Sequence, residues 1–134
     1  MTDTVTPSLP GQETPDPPRR RPPSATAAAV LQLALGTLTS TAGTFFSLDA
    51  GGGWYAAAAL FPVALVLWWV AGIGLLRGSR RGHRLGVAML VALSAFNLMK
   101  IVVFDESAGY VFMSATLLIA ALQLAAPTRA WSRR

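Results

Sequence analysis

Apolar residues in this chain come in four long blocks, and most of the charged residues fall between the blocks rather than within them. Residues 24–46 and 54–76 are two 23-residue runs without a single charge. At a helical rise of about 1.5 Å per residue each is about 35 Å long, enough to cross a hydrocarbon core of about 30 Å with some tilt. Residues 85–104 form a third block interrupted only by Lys100, and residues 109–126 form a fourth of 18, near the short end of the spanning range. The segments between them, 47–53, 77–84 and 105–108, are short, which makes consecutive helices antiparallel neighbours. The pattern predicts an all-α fold, an antiparallel bundle of four transmembrane helices over about 24–46, 54–76, 85–104 and 109–126.

Residues 1–23 hold seven of the nine prolines, together with Arg19, Arg20 and Arg21, and show no sustained apolar pattern. Such a segment buries too little surface to offset the entropy of ordering, so it reads as a disordered Pro/Arg-rich N-terminal tail. The first apolar block is longer than the roughly 7–15 residues of a signal peptide core, which argues against cleavage. Residues 127–134 read as a short basic tail.

Charge orients the bundle. The basic residues are ten Arg and one Lys, within a formal net charge of +5. Arg19, Arg20 and Arg21 precede the first block, Arg77, Arg80, Arg81 and Arg84 follow the second, and Arg129, Arg133 and Arg134 follow the fourth. All ten therefore fall on one side, opposite Asp49, Asp105 and Glu106. Retention of positive residues inside places both termini and the middle loop in the cytoplasm of a multi-pass cell (inner) membrane protein, with Arg77, Arg80, Arg81 and Arg84 setting the topology. Trp54, Tyr55 and Tyr110 fall at the outer boundary and Trp131 at the inner one, where amphipathic rings sit. A charged fraction of 13%, against about 25% in soluble domains, fits this class. The clustered Arg between apolar blocks point to a membrane edge, and nucleic acid is not expected as a partner.

Candidate chemistry is sparse. The chain has no cysteine and one histidine, so disulfides, thiolate catalysis and Cys-based metal sites are absent, and no metal or cofactor is expected. Phosphate-loop, dinucleotide, nucleophile-elbow and zinc-helix motifs are missing. His83 lies among arginines and reads as a solvated loop residue. Gly74, Gly78, Gly82 and Gly86 repeat every four residues but straddle the charged segment, which reads as a tight glycine-rich turn.

Lys100 is the informative residue, because a basic group inside a span is costly and marks a functional site by default. Asn97 and Ser94 precede it at intervals of three, giving a polar stripe. Pro62 is expected to kink the second span and free the carbonyl of Ala58 at a similar depth. Thr41, Thr44 and Ser114 fall at that level too, with Asp105 and Glu106 just above. These residues form a candidate outer-leaflet polar cluster, Lys100 pairing with an outer acid and Asn97 bonding a carbonyl or hydroxyl. Gly36, Ser40, Gly43 and Thr44 make a small-residue face for close helix packing, within the bundle or against a second protein. Gln32 and Gln123, both in the inner half, are placed to hydrogen-bond between the first and fourth spans.

The Ala, Gly, Leu and Arg bias, the Pro-rich N-tail and the segment Gly74-Leu-Leu-Arg-Gly-Ser-Arg-Arg-Gly-His-Arg-Leu-Gly86 resemble the small four-helix integral membrane proteins of high-GC actinobacteria, most of them without an assigned function. Small multidrug-resistance antiporters share the four-helix size, but they use a membrane-embedded Glu in the first span, and this first span has no acid. The reading that follows is a non-enzymatic accessory or interaction component in the lipid bilayer, meeting a membrane-protein partner or a second copy. The alternative is a small transporter or ligand-binding protein using the cluster around Lys100 and Asn97.

Overall fold

A computed structural model of the chain describes residues 20–132, which are almost entirely helical and contain no strand. Five helices follow one another: α1 (Pro23–Ala50), α2 (Trp54–Leu76), α3 (Arg80–Phe104), α4 (Ala108–Leu124) and α5 (Ala126–Trp131). Helices α1, α2 and α3 are long and apolar enough to cross a membrane, while α4 is a shorter apolar helix of 17 residues. The first four close into a ring in which α1 packs on α2, α2 on α3, α3 on α4 and α4 on α1, and α5 caps α1 and α4. Most of the Pro/Arg-rich tail, through residue 19, lies outside the described residues, as do Arg133 and Arg134.

Helix ends depart from the charge boundaries. The seven-residue outer segment 47–53 shrinks to three glycines, because nothing in Ser47, Leu48, Asp49 or Ala50 breaks a helix, whereas Gly51 and Gly52 adopt φ of +64° and +57°. Asp49 accordingly rides on α1. At the inner turn, Gly78 takes φ +75° and Ser79 caps α3, its hydroxyl accepting from the Gly82 N–H at 3.3 Å. Arg80, Arg81, His83 and Arg84 therefore lie on the first turns of α3 rather than on a loop. His83 is half-buried, and its Nδ1 is enclosed without a hydrogen-bond partner, so the solvated-loop reading is corrected.

Helix α2 continues through Pro62 as one element. One further expectation changes. The basic tail is not free, because its first half folds into α5: Pro127 cannot continue the hydrogen-bond ladder of α4, the chain turns at Ala125 (φ −57°, ψ 141°), and a short helix folds back under the bundle. Thr128 is fully buried there and donates to Ser24 Oγ at 2.9 Å, while Trp131 Nε1 donates to the Leu75 carbonyl at 3.0 Å.

The core is built in layers. Its middle layer takes one large residue from each of the first four helices, Leu35, Trp68, Leu90 and Ile119. The layer at the Arg-bearing end is made by Ala28, Ala29 and Leu75, small enough to let α1 approach α2. Around the outside, Phe45, Leu60, Val63, Val102 and Val111 are exposed. Large apolar side chains thus cover the outside as well as the core, with Gln32, Gln123 and Thr116 enclosed among them, a surface that suits a lipid bilayer rather than water.

Candidate functional site

Lys100 lies in the last turn of α3, and the way that helix ends explains its surroundings. Asp105 adopts the left-handed conformation (φ 49°), the Asp105 N–H bonds the Lys100 carbonyl, and so does the Glu106 N–H at 3.2 Å. This six-residue closure folds Glu106 back over the turn. The Lys100 ammonium then meets Glu106 Oε1 at 2.8 Å and lies 5.7 Å from the centre of the Phe96 ring. Both partners keep part of their surface, 26% for Lys100 and 41% for Glu106, so the pair lies on the surface of the bundle and not in its core. Asp105 stays exposed.

The remaining members of the outer cluster do not converge on Lys100. Asn97 is buried, but its Nδ2 has no partner, which corrects the expected bond to a carbonyl or hydroxyl. Ser94 is half-buried. Thr44 turns its hydroxyl back to the Ser40 carbonyl at 2.9 Å, as serines and threonines do in apolar surroundings. Ser114 is exposed and bonds the Tyr110 carbonyl at 2.9 Å. Thr41 faces outward into a shallow groove between α1 and α2, lined also by Leu33, Ala34, Thr37, Leu38 and Trp69. Thr41 and Ser114 therefore leave the cluster, because the rotation of each helix about its own axis points them away.

The small-residue face of α1 packs inside the bundle. A Cβ on Gly36 would overlap the Trp68 ring, one on Gly43 would overlap Phe61, and Ser40 is buried. Trp68 thus fills the core, whereas its neighbour Trp69 is exposed and donates to Thr37 Oγ1 at 3.2 Å. The four-residue glycine repeat serves three purposes. Gly74 and Gly82 bring the α2 and α3 backbones together, a Cβ on Gly74 falling 2.8 Å from Gly82 Cα. Gly78 makes the turn and accommodates Trp131, and Gly86 leaves room for two glutamines.

Those glutamines are the most deeply buried polar pair. Gln32 of α1 and Gln123 of α4 are both fully enclosed, and Gln123 Nε2 donates to Gln32 Oε1. Gln32 Nε2 and Gln123 Oε1 have no partner. A Cβ at position 86 would sit 2.9 Å from Gln32 Oε1 and 3.0 Å from Gln123 Nε2. The contribution of Gly86 to this site is invisible in spacing alone, since it depends on which face of α3 meets α1 and α4.

Chemically, the arrangement offers, among the described residues, hydrogen bonds and one ion pair. Among the described residues no three His, Cys, Asp or Glu side chains gather where a metal ion would bind. Lys100 and His83 stand 17 residues apart on one helix, about 25 Å by helical rise. Comparison with known proteins finds no matching family model, no matching curated protein and no matching solved structure.

Proposed function

We propose that the chain is a four-span protein of the inner (cell) membrane, with both termini in the cytoplasm, working as a non-enzymatic accessory or interaction component. The observation that carries the reading is the apolar surface: Gln32, Gln123, Thr116 and Thr128 are fully enclosed while large apolar side chains face outward on every long helix. Helix α4 supplies the fourth span, its 17 residues covering about 25 Å between α1 and α3, within the range for spanning. The described arginines lie at the end where α1 begins, α2 ends and α5 packs, and the described acids lie at the opposite end. An accessory role is favoured by what the polar groups do: Lys100 and Glu106 close a helix end, Gln32 and Gln123 join α1 to α4, and Ser24 and Thr128 tie down α5.

Topology is tested on single-cysteine variants, since the native chain has none. With a membrane-impermeant maleimide on intact cells, Gly53→Cys should label and Arg133→Cys should label only after permeabilisation. Labelling of both on intact cells would require an odd number of spans, and the reverse pattern would invert the bundle.

A second reading, small-ligand binding at the outer end, is favoured by the buried, unpartnered Nδ2 of Asn97 three residues from Lys100. Native mass spectrometry of the tagged protein, gently extracted, separates the two. A reproducible larger complex with another membrane protein is the expected result. A lone bundle or homodimer that retains a small molecule, lost on Lys100→Met, would replace the accessory reading with the second.

A further inference from the structure

In the ring of helices α2 and α4 stand on opposite corners, since α1 and α3 are the neighbours of both. At the Arg-bearing end this diagonal is bridged by α5, which leaves α4 at Ala125 and finishes with Trp131 Nε1 donating to the Leu75 carbonyl, in the last turn of α2, at 3.0 Å. Midway along it Thr128 donates to Ser24 Oγ, at the start of α1, at 2.9 Å. The Trp131 ring also packs beside the turn between α2 and α3, where a Cβ on Gly78 would lie 3.1 Å from it. One six-residue helix thus ties together the ends of α1, α2 and α4. Crossing the diagonal puts it over the end of the core, where Ala25, Ala28, Ala29 and Leu75 are fully enclosed.

This brace is separable from what it covers. Six residues are too few to keep a helix in isolation, so α5 is helical only while it is docked. Its junction with α4 is loose, because Ala125 is extended (φ −57°, ψ 141°) and Pro127 has no N–H to carry the ladder across. Two of the contacts that fix it are hydrogen bonds between neutral groups, each of which adds only about a fivefold factor to an equilibrium. Short elements held in this way undock as one unit, at a cost below that of unfolding the whole domain.

Behind α5 the core is thin. The nearest layer is Ala28, Ala29 and Leu75, and the glutamine pair follows, Gln32 lying eight residues or about 12 Å along α1 from Ser24. Gln32 Nε2 and Gln123 Oε1 are enclosed without partners, so water admitted at this end would reach groups that gain from hydration. Beyond the glutamines the larger side chains of Leu35, Trp68, Leu90 and Ile119 close the core. We propose that α5 is a strap that opens and closes as a unit about Ala125. Closed, it braces α2 against α4 and keeps water from the Ala28 layer and the glutamines; open, it leaves an inlet that stops at the Trp68 layer. The strap is independent of which side of a membrane this end faces.

Hydrogen–deuterium exchange of the full chain in detergent micelles, read by mass spectrometry, tests the brace. Amides of residues 126–132 and 71–77 should exchange in step, and faster than those in the middle of α2. Ser24→Cys with Thr128→Cys, in a chain that has no cysteine, exchanges the hydrogen bond for a disulfide. Its oxidised form should slow both segments by about tenfold or more, and dithiothreitol should restore the native rates. Trp131→Phe keeps a ring but removes the donor, and should speed both segments by about fivefold; it decides the matter alone if the cysteine pair does not oxidise. Labelling with N-ethylmaleimide tests the closure: Ala28→Cys, at a fully enclosed position, should react about fivefold faster in the Trp131→Phe background than in the native one. Exchange at 71–77 that ignores both the disulfide and Trp131→Phe would overturn the brace, and equal labelling of Ala28→Cys in the two backgrounds would overturn the inlet. Amides of 126–132 as protected as the middle of α2 would mean that α5 opens only with the whole bundle, and that no strap exists.

Discussion

Gly82→Val is expected to lower the stability of the bundle by about 3 kcal/mol, the upper part of the usual range for overpacking. A Cβ on Gly82 would lie 2.6 Å from Gly74 Cα and 2.7 Å from the Gly74 carbonyl carbon. Both obstacles are backbone, so no change of rotamer relieves them, and α2 and α3 must separate at their closest point. That separation reaches other contacts, because Gly78 in the same turn packs against Trp131 and the Leu75 carbonyl accepts from its indole. Gly53 provides the control: a Cβ there meets nothing within 4 Å and its φ is an ordinary −64°. Gly53→Ala should shift stability by no more than about 0.5 kcal/mol. Reversible unfolding in mixed micelles measures both, and a Gly82→Val protein as stable as Gly53→Ala would show that the two helices do not cross at these glycines.

The second large effect is at the buried glutamines. Gln32→Leu alone should cost about 2 kcal/mol, because it leaves the Gln123 carboxamide enclosed without its partner. Gln123→Leu should do the same in reverse. The double variant should recover most of the loss, since replacing both partners of a buried hydrogen bond by apolar groups of similar size is close to neutral. Each glutamine also carries an atom with no partner, so the native pair already bears a desolvation cost that two leucines would remove. A double-mutant cycle on unfolding free energies reads the coupling, and strictly additive losses would mean that the two side chains do not act as a pair.

These two sites show how much of the molecule was legible in one dimension. Gln32 and Gln123 stand out as amides within uncharged runs, and a bond between them follows from their similar depth. Gly86 does not stand out, because its service to that pair depends on the rotation of α3 about its axis. Lys100 and Glu106 are six apart, a spacing that becomes a contact only through the left-handed Asp105. Thr41 and Ser114 match Lys100 in depth but not in azimuth, so a reading based on helical rise alone gathers them where the fold keeps them apart. Pro127 signals the end of α4, yet nothing local says that α5 will be anchored by Thr128 and Trp131.

Run length and charge are enough for an all-helical chain, for long apolar helices in sequential antiparallel contact, and for the described arginines at one end. Those properties follow from the cost of placing charge or unpaired backbone in an apolar medium, a constraint that acts on each segment separately. Which face of each helix turns inward is settled by packing between helices, and with it the pairing of Gln32 with Gln123, the crossing at Gly74 and Gly82, and the anchoring of α5 on Ser24, Leu75 and Gly78. In helices apolar around most of their circumference, the rotation is set by how side chains and glycines interlock with neighbours far along the chain, and no single segment carries that information.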